Sequence, residues 1–521
     1  MRRSIGWAAV VFFASGLSFS ACTSFGSGDN VSDGGPSGNG NGPDGGPGTL
    51  DGTLPAQKLN VQLDPAKATV ARKGATLIKV AIAVGGTSAA VRLEAPPGSG
   101  LTAAPQVANG TGAAVLEIKA SDKAETKAQK VRIVVEGVDG VSRGEATLDL
   151  EVRGAPGELD EGWGVGGILD LGGANDLVDA AVLPSGDILV ARNFGSTISY
   201  IQRVLAAGAI DTAFGPNGRC PVVGAGLGLS TIARIGQETY VAGEGSGLNS
   251  TGASLYRIDI PCAVTRQYVA PAAKLTNITG LFGTGTPIVG GYSESSWTLT
   301  RLSGFEANVL VPNASWGASG YASGTPRGGV HGLIEGPSKD LLITADGSDD
   351  FALQSISKEG FLVGQGVRNQ GSFAGGIVAN GEFAPVSIRA IDPPSFSVHL
   401  ASGTKTTRVP FSEVLPSPSG RTAIGVSQGG VVAFAEGQGN PSTAAGVVTL
   451  VRFGTAGDLV PGFGTSGFST VRRLVKSQAV TDVRRVLAFG DKVYVLGSIS
   501  YSQTPAGPRD QHEGFLARVW M

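Results

Sequence analysis

Apolar and polar residues alternate along the first part of this chain. Between residues 56 and 154, runs such as Ala114–Ile118 and Val131–Val135 follow a period of two and are separated by turns of Gly, Pro and Asn. A period of two is typical of half-buried antiparallel strands. Residues 56–154 are therefore predicted to hold about seven or eight strands, enough for one small β-sandwich.

A longer pattern repeats after residue 170. Each unit has an opening apolar strand, a Gly-rich turn, a strong central strand, a polar loop and a closing strand. The period is close to the roughly 40–50 residues of a four-stranded propeller blade. The seven central strands are Ile188–Ala191, Tyr240–Gly243, Pro287–Gly290, Leu341–Thr344, Phe383–Val386, Val431–Phe434 and Val493–Leu496. The chain is thus predicted to be all-β, with a seven-bladed β-propeller over 158–521. Units four and five are the weakest, so six or eight blades are alternatives.

A short motif lies between units. Two clear copies and one degenerate copy contain Asp160, Trp163, Gly164 and Gly167; Asp211, Phe214, Gly215 and Gly218; and Phe463, Gly464 and Gly467. A fainter copy surrounds Trp316, and Val460 and Asn313 replace the aspartate in the two weaker copies. We expect the aromatic residue to pack between neighbouring blades and the glycines to adopt positive φ.

Two parts of the chain resemble known families. The motif resembles the delta-sixty repeat of bacterial β-propellers, with its Leu-Asp-x-x-Phe-Gly-x-x-Gly signature, which implies a propeller but no particular chemistry. The first copy precedes the first unit and none follows the last. The segment after it is therefore expected to be the outer strand of the last blade, closing the ring.

Residues 91–135 resemble bacterial Ig-like repeats, which implies that 56–154 is an Ig-like β-sandwich.

The first residues have the layout of an export signal. Two arginines precede an apolar stretch, Ile5–Leu17, that is too short to span a membrane comfortably. Small residues directly before Cys22 resemble the bacterial lipobox, although Phe19 stands where that family prefers Leu. The resemblance implies a signal peptide over 1–21 and a lipidated Cys22. Because Thr23 and not Asp follows, it also implies the outer membrane. An ordinary secretory signal with an incidental cysteine is the alternative.

Residues 22–55 follow as a predicted stalk. They are almost entirely Gly, Ser, Asn, Asp and Pro, so they cannot bury enough apolar surface to fold. We expect this flexible segment to hold the folded part away from the membrane in the cell envelope, either in the periplasm or on the surface.

Composition narrows the partners. The chain has 82 glycines and 16% charged residues, which fits many strands joined by tight turns. Its net charge of −2 and the lack of a basic stripe argue against nucleic acid. His331, His399 and His512 lie far apart, so no metal site is predicted. No cofactor or catalytic residue is assigned, and we expect a monomer.

Several groups admit both a functional and a structural interpretation. Cys220 and Cys262 are expected to pair in an exported protein, with two buried thiols as the alternative. Asp346–Asp350 is interpreted as a polar hairpin tip rather than a calcium site. Asp176 and Asp179 could face the central channel, without an identified partner acid. Five recurrent arginines are interpreted as scaffold residues rather than a cationic ring: Arg203, Arg257, Arg301, Arg452 and Arg518.

The favoured function is a lipid-anchored binding protein of the cell envelope that contacts a glycan or protein through its propeller. One alternative is an enzyme such as a glycan lyase or hydrolase, because propellers host many chemistries. Another is a purely structural envelope component. An enzyme should bring two acids, or an acid with His or Tyr, together from different blades.

Overall fold

The structure is a computed structural model that describes most of residues 58–521. The segments it leaves out are 84–87, 110–111, 174–176, 195–197, 224–227, 245–250, 284, 294–295, 307–308, 326–328, 336–338, 346–349, 371, 380–381, 390–394, 401–402, 409–422, 426–429, 436–446, 473–479 and 502–510. Pro55–Met521 forms one compact unit. The predicted signal peptide, Cys22 and the stalk lie outside the described residues.

Nine strands in the N-terminal part form two sheets. They are β1 (Asn60–Asp64), β2 (Lys67–Ala71), β3 (Ala75–Ala83), β4 (Ala89–Glu94), β5 (Leu101–Ala103), β6 (Gln106–Ala108), β7 (Ala113–Ala120), β8 (Ala128–Gly137) and β9 (Arg143–Arg153). One sheet has the order β1-β3-β7-β5 and the other β2-β9-β8-β4-β6. Because both sheets contribute to one hydrophobic core, this part is a β-sandwich.

Burial in the sandwich follows the sequence pattern. All eight residues of β7 alternate between exposed and buried positions, because one face of the strand meets the core and the other meets solvent. Leu116 and Ile118 of β7 are completely buried, as is Ile133 on β8.

Beyond residue 167 the described residues form seven sheets, each with four antiparallel strands in meander order and one with a fifth strand. The first strand in the chain is β10 (Ile168–Gly173), which belongs to the last sheet. Sheet I contains β11 (Leu177–Val182), β12 (Ile188–Phe194), β13 (Ile198–Val204) and β14 (Arg219–Pro221), and sheet II contains β15 (Leu229–Ile235), β16 (Glu238–Gly243), β17 (Thr251–Asp259) and β18 (Ala263–Pro271). Sheet III contains β19 (Asn277–Phe282), β20 (Ile288–Tyr292), β21 (Trp297–Glu306), β22 (Val309–Pro312) and β23 (Tyr321–Gly324), and sheet IV contains β24 (Gly329–Glu335), β25 (Lys339–Ala345), β26 (Asp350–Ser357) and β27 (Leu362–Gln370). Sheet V contains β28 (Ser372–Ala379), β29 (Glu382–Arg389), β30 (Ser395–Leu400) and β31 (Gly403–Arg408), sheet VI contains β32 (Ala423–Gly425), β33 (Val431–Ala435), β34 (Val447–Arg452) and β35 (Phe468–Arg472), and sheet VII contains β36 (Val480–Phe489), β37 (Lys492–Tyr501) and β38 (Gln511–Trp520).

The sheets follow one another around a ring of the propeller type. The inner strands β11, β15, β19 and β24 contact in succession, as do β28, β32 and β36, and β26 of sheet IV contacts β28 of sheet V. β36 in turn contacts β11 of sheet I. Sheet VII has the order β10-β38-β37-β36, with Ile168 opposite Ala517. The prediction that the N-terminal segment supplies the outer strand of the last sheet is confirmed.

The all-β prediction is also confirmed, and each predicted central strand is the second strand of a sheet. In β12 the first five residues are all buried, because neighbouring sheets cover both of its faces. The third inner strand begins at Asn277, two residues after Leu275, the apolar residue at which the third repeat unit opens in the sequence. Among the described residues, one short 3-10 turn occurs at Pro216–Gly218, and no helix has the length and apolar character needed to cross a membrane.

Candidate functional site

The ring has two ends with different content. In each sheet the first-to-second and third-to-fourth connections lie at one end, which we call the lower end. The second-to-third connections and those between sheets lie at the other, the upper end. The first-to-second connections at the lower end, such as 236–237 and 490–491, are short, and third-to-fourth connections at the same end, such as 205–218 and 453–467, carry the repeated motif. The repeated motif therefore lies wholly at the lower end.

All four copies of the motif share one backbone conformation. The first, third and fourth residues after the aromatic residue have positive φ, a region that glycine enters without steric cost. These residues are Gly164, Gly166 and Gly167; Gly215, Asn217 and Gly218; Gly317, Ser319 and Gly320; and Gly464, Ser466 and Gly467. The two copies without the motif aspartate keep this turn, so the turn does not depend on that carboxylate.

The aromatic residue of each copy is buried between two neighbouring sheets. Trp163 is completely buried between sheets VII and I, and its Nε1 donates a hydrogen bond to the carbonyl oxygen of Ala206 at 3.1 Å. The other three are Phe214 between sheets I and II, Trp316 between sheets III and IV, and Phe463 between sheets VI and VII. The motif at the lower end therefore holds adjacent sheets together.

The recurrent arginines belong to the same lower-end scaffold. Arg518 lies 2.7 Å from the carboxylate of Asp160 and stacks over Trp163, and Arg203 lies 3.4 Å from the carboxylate of Asp211. Arg257 pairs with two acids of its own sheet. The interpretation of these three arginines as scaffold residues is confirmed. For Arg452, Nε is buried without a hydrogen-bond partner among the described residues.

Asp187 has its pKa lowered at this scaffold. Burial alone would raise the pKa of its carboxyl group, but hydrogen bonds from Arg203, from the backbone N–H of Ala206 and from the Ser185 hydroxyl favour the charged form and outweigh that effect. Asp187 is therefore a charged structural residue that ties the second and third strands of sheet I to the turn that follows.

Cys220 and Cys262 are joined by a disulfide, with Cα atoms 5.5 Å apart. Cys220 lies on β14 directly after the second motif copy, and Cys262 lies in the turn between β17 and β18 of the next sheet. A Cβ atom on Gly215 would come within 3.1 Å of the Cys262 sulfur. Equivalent contacts join Gly164 to Gly208 and Gly317 to Gly360. The disulfide thus occupies the place where other copies bring two turns together.

At the upper end, the inner strands carry one extra residue near their start. The paired register shifts by one residue in the inner strands of sheets I to V and VII. Such β-bulges bend a strand and redirect its side chains, and they are common beside functional sites. The extra residues are Val178, Ser230, Thr279, His331, Ala374 and Arg484.

Asp179, one residue after the bulge of sheet I, connects three sheets. One carboxylate oxygen accepts hydrogen bonds from the hydroxyl of Thr231 (2.8 Å) and the N–H of Ile232 (3.1 Å) in sheet II. The other accepts the N–H of Ala180 at 2.8 Å and lies 3.4 Å from Nε of Arg485 in sheet VII. Its side chain is only 8% exposed. The sequence-predicted position of Asp179 at the axis thus has a structural partner from each neighbouring sheet.

Two arginines of β36 complete what we call the seam cluster: Asp179, Asp482, Arg484 and Arg485. Arg484 pairs with Asp482 at 2.9 Å, and these side chains are 23% and 26% exposed. The side chain of Arg485 is 40% exposed. The cluster lies where the first and last sheets meet, and Arg485 is its most exposed charged side chain.

A second polar group lies at the upper ends of sheets II and III. The amide nitrogen of Asn277 donates to a carboxylate oxygen of Glu244 at 2.8 Å and to the hydroxyl of Tyr292 at 3.1 Å. The amide oxygen of Asn277 is buried without a hydrogen-bond partner in the described part of the chain. One side-chain amide therefore hydrogen-bonds both to a carboxylate of sheet II and to a tyrosine hydroxyl of sheet III.

The remaining candidate residues are not brought together. His399 is buried, with its ring nitrogens near the hydroxyls of Ser387 (2.9 Å) and Thr404 (3.3 Å), as in a satisfied core histidine. Asp176 and 346–349 lie outside the described residues. In the described part of the chain, no group of three or more His, Cys, Asp and Glu side chains is placed to hold a metal ion.

Asp482, Arg484 and Arg485 were not among the residues predicted from the sequence. The available signal was charge: Asp-Val-Arg-Arg interrupts an opening strand that is mostly apolar in the other units. What the sequence could not give was the bulge, because it depends on how the inner strand pairs with its neighbour.

Comparison with known proteins adds little. No protein-family model matches the chain, and no curated protein matches it. A solved structure of an α-L-arabinofuranosidase from Fusarium graminearum aligns with a TM-score of 0.33 and 13% identity over 66% of this chain and 93% of that one. A β-fructofuranosidase from Bombyx mori aligns with a TM-score of 0.25 and 7% identity over 66% and 90%. Likenesses this weak do not bear on the activity of this chain.

Proposed function

We propose that this chain is a lipid-anchored protein of the bacterial outer membrane that binds a ligand at the upper end of a seven-bladed propeller. The observation that carries the proposal is the seam cluster. Charged groups at the lower end mostly pair within the scaffold, whereas Arg485 projects partly exposed at the axis beside an aspartate that is already hydrogen-bonded. The repeated motif lies at the opposite end, and binding residues on repeat scaffolds concentrate where the sequence departs from the repeat.

The domain boundaries belong to this proposal: a signal peptide over 1–21, a stalk over 22–55, an Ig-like sandwich over 56–154 and the propeller over 158–521. The sheet order β1-β3-β7-β5 matches A-B-E-D of an Ig fold, and β4-β8-β9 matches C-F-G. Seven sheets in contact around a ring support seven blades. Four turns of one conformation support a delta-sixty-type repeat.

Binding is tested with the compact unit Pro55–Met521, applied to a glycan array and to a panel of envelope proteins. The same preparation is screened against glycoside hydrolase and lyase substrates. We expect saturable binding without turnover, weakened by substitution at the upper end and unaffected by Val165→Ala at the lower end. Turnover of a glycan, or binding lost only on lower-end substitution, would contradict the proposal.

The lipid anchor is tested separately in living bacteria. Labelled palmitate should be incorporated into the full chain and recovered in the outer-membrane fraction. The variant Cys22→Ser should carry no label and should leave the membrane, because it lacks the acylated side chain. Label retained on Cys22→Ser would show that the anchor lies elsewhere.

A second candidate function is a glycan-cleaving enzyme, favoured by the Glu244–Asn277–Tyr292 group. A carboxylate and a phenol held from two sheets are groups that can transfer protons. If this is the active site, Glu244→Gln and Tyr292→Phe should each abolish any turnover found in the screen. The control Glu238→Gln, on the same strand of sheet II but at its lower end, should keep that turnover.

A further inference from the structure

We propose that the seam cluster recognises a carboxylate group on the ligand, with Arg485 as the main contact and Arg484 as a second positive charge. This inference rests on the proposed function, because it names the ligand chemistry at the same upper end. Arg484 and Arg485 are not among the five recurrent arginines. The inference follows from the hydrogen bonds of the cluster, which use the oxygens of Asp179 and not the terminal nitrogens of Arg485.

Asp179 holds Arg485 in place by an ion pair that leaves the hydrogen-bond donors of Arg485 unused. Both oxygens of Asp179 already accept N–H or O–H donors from Ala180, Thr231 and Ile232. The 3.4 Å contact with Nε of Arg485 is an ion pair without a hydrogen bond. A guanidinium has five N–H donors in a rigid fork. Among the described residues, none accepts a hydrogen bond from the terminal nitrogens of Arg485. The ion pair therefore orients the guanidinium group while its N–H donors remain available to a ligand.

Exposure makes Arg485 the most accessible charge of the seam cluster. The side chain of Arg485 is 40% exposed, whereas that of Asp179 is 8% exposed and is covered by its own partners. Arg484 adds a partly exposed second guanidinium on the bulge of the same strand. An approaching ligand therefore meets the guanidinium of Arg485 before it meets the carboxylate of Asp179.

The charge balance selects the type of anion. Two arginines face two aspartates, so the cluster as a whole is neutral. A singly charged planar carboxylate matches the fork of Arg485 in a bidentate contact. A doubly charged phosphate would lose much more hydration on binding, and a cluster without net positive charge does not compensate that loss. The geometry thus favours a monoanionic carboxylate, such as that of a uronic acid sugar.

The test is titration of Pro55–Met521 with D-glucuronate, with D-glucose as the neutral match and inorganic phosphate as the dianion, followed by ligand-observed NMR. We expect saturable binding of glucuronate that weakens with added salt, and weaker or no binding of the other two. Arg485→Gln should weaken glucuronate binding at least about tenfold, because a charged hydrogen bond is lost. The affinity of Arg485→Lys for glucuronate should lie between those of Arg485→Gln and the unsubstituted protein, because lysine keeps the positive charge and lacks the guanidinium fork.

Arg266→Gln is the matched control, since Arg266 is an exposed arginine on the outer strand of sheet II; it should bind as the unsubstituted protein does. Thermal unfolding of each variant shows that the fold is intact. Glucuronate binding that is unchanged in Arg485→Gln, or tighter binding of phosphate or glucose, would overturn the carboxylate assignment. A neutral glycan that binds at the upper end regardless of Arg485 would overturn it and leave the proposed function standing. If neither glucuronate nor any array ligand binds, both proposals fail.

Discussion

At the residue scale, the motif aromatics are large side chains buried in the contacts between sheets. Trp163 is completely buried, meets Tyr494 edge-on at 5.9 Å and donates its indole N–H to Ala206. Two positions along the same turn, Val165 is 88% exposed. The turn therefore offers one large side chain that is fully buried and one apolar side chain that is not.

We predict that Trp163→Ala lowers the free energy of unfolding by about 3–5 kcal/mol, because it leaves a cavity between sheets VII and I. Val165→Ala in the same turn should change it by less than about 0.5 kcal/mol. Chemical denaturation of both variants measures the difference. Equal effects would mean that the tryptophan is not buried between two sheets.

Asp187 gives a prediction on pH. Because its pKa is lowered in the folded state, the carboxylate stabilises the fold at pH values above the ordinary aspartate pKa of about 3.9. That contribution is lost as the pH falls from there towards the lower folded pKa. In denaturation experiments across this acid range, Asp187→Asn should lose less stability than the unsubstituted protein. An identical acid dependence would show that Arg203 does not favour the charged form.

At the element scale, the motif turn depends on backbone space as well as on its aromatic residue. A Cβ atom on Gly464 would come 1.9 Å from the carbonyl oxygen of Phe468, and its φ of +57° disfavours other residues. Gly462, in the same turn, has ordinary φ and no atom within 4 Å of an added Cβ. An added side chain is therefore expected to be tolerated at Gly462 and not at Gly464.

Gly464→Ala is therefore predicted to destabilise the protein by more than about 1 kcal/mol, and Gly462→Ala to be close to neutral. Thermal unfolding of the two variants makes the comparison. If both alanines are tolerated, the turn at 463–467 does not have the conformation described.

The disulfide is the second element-scale feature. Cys220 and Cys262 are 42 residues apart in the sequence, and closing a loop of this length stabilises a folded protein by about 2–4 kcal/mol. Reductant should lower the unfolding temperature of the unsubstituted protein and leave that of a Cys220→Ala, Cys262→Ala double variant unchanged. Equal unfolding temperatures with and without reductant would contradict a disulfide that ties sheet I to sheet II.

These elements also show what the sequence can predict. Central strands such as Ile188–Ala191 are found from sequence because they are continuous apolar runs, and the motif turn because its glycines recur. The exact start of an inner strand is harder to predict, because Leu275 is apolar and buried and yet precedes β19. The seam cluster escaped because Asp179 and Arg485 are far apart in sequence and meet only when the ring closes.

At the scale of the whole molecule, the ring and the sandwich are joined close to the point of closure. Trp520, at the end of β38, lies against Gly154 and stacks with Arg153 of the sandwich and Lys492 of sheet VII. Arg72 of the sandwich hydrogen-bonds to Glu161 in the first motif copy, at 2.9 Å. The N-terminal part therefore contacts the lower end of sheet VII and the first motif copy, which directly precedes the closing strand β10.

The central claim is that this ring is closed by its own N-terminal strand, and a crystal structure of Pro55–Met521 tests it most directly. The account predicts seven radial four-stranded sheets, with Ile168–Gly173 paired antiparallel to Gln511–Trp520 and Ile168 opposite Ala517. A structure in which Gln511–Trp520 is a free edge, or in which Ile168–Gly173 pairs elsewhere, would contradict it.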